Sequence, residues 1–293
     1  MRVWKEAAGA ELYAPIMVPQ IGCLVACGTI VIRNDSTARS LREMLQHARH
    51  LVRSIAYNKG SLAHPVRAAG LARAWTRNEV AFLRRTGRLS KVLGTSGKEL
   101  ERCFEEARPV MEYCAGELRK YSTVLPGLLN PNYGPVIYAA IRVLKPEVVV
   151  ETGVASGTSS TFFLSAMEKN GTGRLYSIDL PLPNEQLVPT ERRTGWLVPS
   201  RLRERWELTL GDAKVELPRL LDRLGTIDCF YHDSDHSYEH MTWEFSTSYP
   251  RIRPGGLLLS DDITNNAAWK DFTKKIGDKS AKINRTGVMR RRG

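Results

Sequence analysis

The stretch that decides the fold is Val148-Val149-Val150-Glu151-Thr152-Gly153-Val154-Ala155-Ser156-Gly157-Thr158-Ser159. A short apolar run of β-branched residues, closed by turn residues, reads as a buried strand. Gly153 and Gly157 would let backbone approach a bound ligand closely, where a Cβ would collide. A helix is expected to follow over 158–168. Strand, glycine turn and helix in succession form the first half of a parallel βαβ unit. The spacing G-x-x-x-G lacks the G-x-G-x-x-G that seats a pyrophosphate, and the Gly-Lys-Ser/Thr of a P-loop is also missing. Glu151 at the strand tip suits a ligand with a cationic ammonium head, not a polyphosphate.

Outward from this loop, the pattern predicts strands at 174–179, 207–210, 229–233 and 257–261. Helices are expected at 136–144, 215–224, 238–249 and 267–276, with a Pro-rich loop over 181–200 and a short hairpin turning near Thr286-Gly287. Such alternation implies an α/β fold with a doubly wound parallel sheet and ligands at the carboxyl ends of the strands. Two of those ends carry acids. Asp179 closes Leu175-Tyr176-Ser177-Ile178, where an acceptor-only side chain can hold two ribose hydroxyls. Asp212 follows Gly211, placed to accept from an adenine amino group.

Two further clusters bear on chemistry: His232-Asp233-Ser234-Asp235-His236-Ser237-Tyr238-Glu239-His240 and Pro254-Gly255-Gly256-Leu257-Leu258-Leu259-Ser260-Asp261-Asp262. On neighbouring fourth and fifth strands, Asp233, Asp261 and Asp262 converge on one cleft edge. Three crowded carboxylates repel unless a cation joins them, and oxygen-only ligation fits Mg²⁺. His236 suits removal of a hydroxyl proton near neutral pH. His236 and His240 also stand four apart, as zinc ligands do, but without the Glu that follows the first His in H-E-x-x-H. His232 reads as a satisfied strand histidine, Tyr238 and Trp243 as core, and Asp228 as structural.

On the series Glu151/Gly153/Gly157, Asp179 and Asp212, residues 130–293 resemble the class I S-adenosylmethionine-dependent methyltransferases. On Asp233, Asp261 and Asp262, the chain resembles the metal-dependent O-methyltransferases: the catechol and caffeoyl-CoA type, and the sugar-modifying bacterial enzymes of antibiotic pathways. The resemblance implies a seven-stranded Rossmann-like sheet with a reversed final strand. It implies S-adenosylmethionine lying across Glu151, Gly153, Gly157, Ser159, Asp179 and Asp212. It implies Mg²⁺ or another divalent cation on Asp233, Asp261 and Asp262, and methyl transfer to a hydroxyl of a small molecule, a sugar or secondary metabolite. The catechol type has Asn at the third metal position, so Asp262 follows the sugar-modifying branch. The lysine that type carries after its first metal Asp is missing; His236 or Asp235 stands in that neighbourhood, and the base is open between them.

The texture changes at Pro126, which divides a mostly helical extension, 1–125, from a catalytic domain, 126–293. Helices are expected over 36–57, 65–74, 78–86 and 97–121, the last opened by a Ser96-to-Glu99 capping box and kinked by Pro109. The chain has 293 residues, 42% apolar and 25% charged, which excludes general disorder and fibrous classes. Its net charge of +12 is uneven, with +10 in residues 33–92 and +7 in 270–293. That periphery supports an alternative acceptor, RNA or another nucleic acid, bound by 33–92 and Met289-Arg290-Arg291-Arg292. Against it, the arginines of 36–57 fall on the polar face of an amphipathic helix, and no Asn/Asp-Pro-Pro-aromatic tetrad follows the fourth strand.

Residues 12–32 carry no charge and are long enough to span a bilayer, but Pro15, Pro19, Gln20, Gly22 and Gly28 oppose a span. A packed extended segment, a membrane anchor and an incorrectly chosen start codon remain as readings. The chain is accordingly expected in the cytoplasm or at the cytoplasmic membrane face, with a homo-oligomer among its partners. A non-catalytic membrane- or partner-docking protein is the third functional reading. Five scattered cysteines argue for a reducing compartment, and Cys23 and Cys27 read as small apolar residues.

Overall fold

The computed structural model describes residues 25–26, 29–30, 86–118, 120, 134–180 and 193–293. The helices expected over 36–57 and 65–74, that over 78–86 except its last residue, and the greater part of the loop 181–200 lie outside them. So does most of the uncharged segment 12–32, of which Val25–Ala26 and Thr29–Ile30 pair as antiparallel strands. Among the described residues no helix is long and apolar enough to cross a membrane.

Seven strands form one sheet: β1 (Val148–Thr152), β2 (Arg174–Asp179), β3 (Trp206–Leu210), β4 (Ile227–His232), β5 (Ile252–Ser260), β6 (Lys279–Ile283) and β7 (Thr286–Arg290). Their order is β3-β2-β1-β4-β5-β7-β6. The first five strands are parallel, and β7 runs antiparallel to both β5 and β6. This is the α/β sheet with a reversed final strand. Chain direction switches at β1/β4, where a doubly wound sheet opens a crevice at its carboxyl edge.

Three helices, α1 (Gly97–Leu118), α2 (Gly134–Leu144) and α3 (Thr158–Asn170), share one core with Val149, Leu175, Cys229, Tyr231 and Leu259. The others, α4 (Ala213–Leu224), α5 (Tyr238–Ser248) and α6 (Ala268–Ile276), share a second with Val150, Ile178, Phe230, Leu258 and Met289. Successive strand residues thus supply opposite faces, as the period of two requires. One of the chain's two compact units runs from Arg77 to Gly293 and takes in α1. Leu100, Cys103, Ala107 and Cys114 lie on one helical face of α1 and are all buried. At its start the Glu99 N–H donates to Ser96 Oγ at 3.1 Å, as the capping box requires.

Two boundaries differ from expectation for identifiable reasons. β5 begins at Ile252 because the Pro254-Gly255-Gly256 run is absorbed as an irregularity in its pairing with β4 rather than ending the strand. The β6–β7 hairpin turns at Asn284-Arg285, not at Thr286-Gly287, because Asn284 takes the left-handed conformation (φ 55°) that asparagine tolerates.

The C-terminal arginines are engaged with the protein. Arg290 donates to the carbonyls of Leu93 and Gly255. Arg291 donates to the carbonyls of Tyr249, Pro250 and Ile252 and sits over the Tyr249 ring. Arg292 donates to Gly277 O and pairs with Asp278 at 2.8 Å. These contacts hold the chain end against the rest of the protein.

Candidate active site

The carboxyl ends of β1 to β5 carry every site residue expected from the sequence, and their environments differ sharply. Glu151, at the end of β1, is fully buried. It accepts from Ser159 Oγ at 2.5 Å, Ser160 Oγ at 2.7 Å and Ser177 Oγ at 2.6 Å. Ser177 Oγ in turn accepts from Trp206 Nε1 at 2.9 Å. Burial pushes the Glu151 carboxyl up to about 7, against the three hydroxyls that favour its charge. Its oxygens therefore face protein hydroxyls, not an open ammonium site. Ser159 is buried and bonded to Glu151, so it braces β1 to α3.

Gly153 (φ 83°) and Gly157 (φ 89°) both need the left-handed region. The space for a Cβ on Gly153 is filled by the Asp233 backbone, and on Gly157 by Gly195 Cα at 2.8 Å. On that side the close approach is protein on protein, not the ligand expected. The loop thereby gains a roof, since Gly195 N–H donates to Ala155 O at 2.8 Å and Leu197 N–H to Ser156 O at 2.9 Å.

Asp179 accepts from the backbone N–H groups of Ala155 and Leu180, both at 2.9 Å, and the Val154 N–H also favours its charge. A carboxylate has about four acceptor positions, so capacity remains for a ligand hydroxyl. Burial raises its pKa. Asp212 is exposed and caps α4, accepting from Lys214 N–H at 2.8 Å. Beside these two acids stand exposed apolar side chains that sequence reading missed: Leu180, Leu210 and Val215, at 56%, 52% and 44% exposure. For Leu180 the signal was an apolar residue one step past the acid that tips its strand.

Asp233, Asp261 and Asp262 follow β4 and β5. Burial, and then the charges of Asp261, Glu151 and Asp262, push the Asp233 carboxyl well above the usual range. Asp261 is raised by burial and by Asp262. Asp262 (φ 50°) is ion-paired with Arg285 and accepts from Asn265 Nδ2 at 3.1 Å. His236 Nε2 stands 3.6 Å from Asp233 Oδ1 and 3.7 Å from Asp262 Oδ2. Proximity and mutual repulsion are thus present, and an oxygen-bound cation would relieve the repulsion. Yet among the described residues no three His, Cys, Asp or Glu side chains close round one point. Asp262 is turned to Arg285 instead.

Asp235 is exposed and accepts from Ser237 N–H at 2.9 Å and Ser237 Oγ at 3.2 Å. These bonds hold its carboxyl below the ordinary value and tie it to the start of α5. Burial, followed by His232, lowers the pKa of His236 and favours its neutral ring.

Sequence reading overlooked Glu244, which is fully buried on α5. It accepts from Thr152 Oγ1 at 2.6 Å and Ser234 Oγ at 2.8 Å, and contacts His232 Nδ1 at 2.6 Å and His240 Nε2 at 3.0 Å. Burial alone would raise its carboxyl, but His232 and these hydrogen bonds hold it down to about 2. His240 is therefore committed to Glu244 and not paired with His236 as a zinc ligand. His232, expected to be satisfied, is only half so: its Nε2 is buried without a partner. Tyr238 is not core but 40% exposed, its hydroxyl donating to Asp271. Asp228 is structural, accepting the Glu147 and Val148 N–H groups at 2.8 Å each.

Residues 150–263 match a family model described as a methyltransferase domain. Over 64 residues, 22% of this chain, the sequence is 34% identical to 8-demethyl-8-alpha-L-rhamnosyl tetracenomycin-C 2'-O-methyltransferase of Streptomyces olivaceus. The match spans only 17% of that enzyme's length. Among solved structures, the O-methyltransferase TomG of Streptomyces achromogenes, in complex with S-adenosylmethionine, aligns over 64% of this chain and 90% of its own, with 17% identity and a TM-score of 0.45. An O-methyltransferase of Bacillus cereus aligns over 69% of this chain and 95% of its own, with 13% identity and a TM-score of 0.44.

Proposed function

We propose that this chain, whose residues 150–263 match a family model described as a methyltransferase domain, is an S-adenosylmethionine-dependent methyltransferase that moves a methyl group to a hydroxyl oxygen of a small molecule, a sugar or secondary metabolite. The observation that carries this reading is His236 Nε2 standing within 4 Å of Asp233 and Asp262 at the same sheet edge as Asp179. The sugar-directed name of the Streptomyces olivaceus relative supports the acceptor class.

Asp179, with acceptor capacity left over, takes a ribose hydroxyl. Leu180, Leu210 and Val215 offer apolar surface for the adenine, with Asp212 at its rim. When bound, S-adenosylmethionine supplies an electrophilic methyl group on its sulfonium. Asp233, Asp261 and Asp262 are the residues that would hold a divalent cation such as Mg²⁺. Their oxygen donors and mutual repulsion suit one once Asp262 turns away from Arg285, and a bound cation would lower the pKa of a hydroxyl as a Lewis acid. His236 then accepts the hydroxyl proton, a role that suits a neutral imidazole better than Asp235, whose carboxylate is held weakly basic by Ser237. The chain's main contribution is alignment of oxygen, methyl and sulfur.

The test is transfer of label from methyl-labelled S-adenosylmethionine to a panel of sugars, glycosides and phenols, with Mg²⁺ and with excess chelator. Transfer stimulated by Mg²⁺ is expected. Equal transfer in chelator would end the metal role, and no transfer to any hydroxyl acceptor would end the acceptor class.

A further inference from the structure

A cavity of about 90 Å³ lies at the amino end of β5, lined by Leu93, Val143, Leu144, Arg253, Leu257 and Arg290. β5 runs from this cavity to Ser260, so most of a strand separates it from the acids at the carboxyl edge. Sites for drug-sized ligands take about 300–1,000 Å³, so this one admits an ion or a single head group. Both guanidinium groups border the space beside Gly255. A Cβ built there would lie 3.6 Å from Arg253 Nη1 and 3.9 Å from Arg290 Nη2. One on Gly94 would lie 2.8 Å from Arg290 Nη1, so glycine backbone makes room for the Arg290 head on two sides.

Arg253 is paired with Asp228 through Nε, and its Nη1 donates to Pro254 O at 3.2 Å. Arg290 is half-buried and donates to Gly255 O at 3.1 Å and to Leu93 O at 2.6 Å. Each guanidinium has five N–H donors, so both keep donors to spare. Among the described residues no carboxylate pairs with Arg290, whose partners are neutral carbonyls. Charge decides what the cavity takes. Two guanidinium groups stand against the Asp228 carboxylate and the carbonyl end of α2, which closes at Leu144. A helix end counts for about half a negative charge, so the balance stays positive by about half a charge. The aliphatic walls keep water away and strengthen the attraction for an anion. We propose that Arg253 and Arg290 form a site for a small oxyanion of the phosphate class, held between the two guanidinium groups by N–H···O bonds of about 2.7–2.9 Å. Spare donors on two separate groups favour a tetrahedral oxyanion, with oxygens on every side, over a planar carboxylate. The anion ties Leu93, ahead of α1, and the end of α2 to β5 and β7, and so stabilises the fold without competing with S-adenosylmethionine.

The test is calorimetric titration of the full chain with inorganic phosphate, against chloride at matched ionic strength, with thermal unfolding in parallel. Saturable one-to-one binding is expected, weakened by about tenfold or more in Arg253→Gln and in Arg290→Gln. At tenfold excess over Kd the unfolding midpoint should rise by about 3–6 °C, and acetate should raise it less. Leu144→Glu, which puts a carboxylate on the cavity wall, should abolish the phosphate response and still unfold cooperatively. That variant decides the matter if the arginine variants fail to fold. Glycerol 3-phosphate separates two sources of the ligand. Binding at least as tight as that of inorganic phosphate supports the site as one for the head group of a phosphorylated metabolite, and weaker binding supports it as one for the free ion. A phosphate response no larger than that of chloride overturns the proposal, as does phosphate binding unchanged in Leu144→Glu or in both arginine variants. Affinity for S-adenosylmethionine should stay within about twofold when phosphate saturates; competition between the two would put the anion at the cofactor edge and overturn the proposal. Failure of the unaltered chain to bind S-adenosylmethionine would instead strike the methyltransferase reading alone.

Discussion

Glu151→Gln should remove a pH dependence of stability that the unaltered chain carries. The folded carboxyl is raised from 4.5 to about 7 by burial, so the folded state binds its proton more tightly than the unfolded state. Stability from this group is then fully present below pH 4.5 and is lost as pH rises through 7. Over the interval from pH 5 to pH 8 the loss is about 2.5 kcal/mol, at about 1.4 kcal/mol per unit of differential shift. With a urea slope of about 2.5 kcal/mol/M, the midpoint should fall by about 1 M from this group alone. Glutamine keeps a carbonyl for two of the serine hydroxyls and offers an N–H to the third, without a charge to bury. The assay is urea unfolding followed by fluorescence at pH 5 and pH 8 in both proteins. Acids that do not feel the Glu151 charge cancel in the difference, while Asp179 and Asp233, which are coupled to it, shift in the same direction and add a smaller part. Parallel pH dependences in the two proteins would refute the placement of Glu151 as a buried, proton-linked brace.

Other substitutions probe the remaining parts. Asp179→Ala should weaken S-adenosylmethionine binding by about 10- to 100-fold, the worth of one or two hydrogen bonds to a charged acceptor, with little change in unfolding midpoint. Asp261→Ala should abolish metal-stimulated methyl transfer while calorimetry still detects the cofactor. Gly153→Ala should cost about 2 kcal/mol or more in denaturant unfolding, since a left-handed backbone meets a side chain whose space the Asp233 backbone already fills. Arg291→Ala should lower stability by about 2 kcal/mol through three lost carbonyl contacts and leave retention on RNA unchanged.

The centre of the sheet was legible because Val148–Thr152 is buried and opens as an uninterrupted apolar run before its acid, as buried parallel strands do. Arg174–Asp179 is partly exposed, and it was legible instead from its apolar residues and closing acid. The start of Ile252–Ser260 was not legible, because Pro254 and Gly255 signal a turn locally, while the pairing with β4 and β7 overrides them. Strand-end acids were legible for a topological reason: adjacency of β4 and β5 brings Asp233 beside Asp261 whatever their side chains do. Which acids stay open was not legible. Glu151 and Asp179 both close strands, yet serines from α3 and β2 surround the first, and only backbone N–H groups touch the second. Glu244 was invisible because Thr152 lies 92 residues away in sequence, and nothing local marks a glutamate in an amphipathic helix as the hub of a buried network.

The most direct measurement is calorimetric titration of the full chain with S-adenosylmethionine, repeated on Asp179→Ala. Saturable one-to-one binding that weakens in the variant is the expected result. Absence of heat in the unaltered chain, or an affinity indifferent to loss of the Asp179 carboxylate, would contradict a cofactor seated on the acid-tipped edge of the sheet.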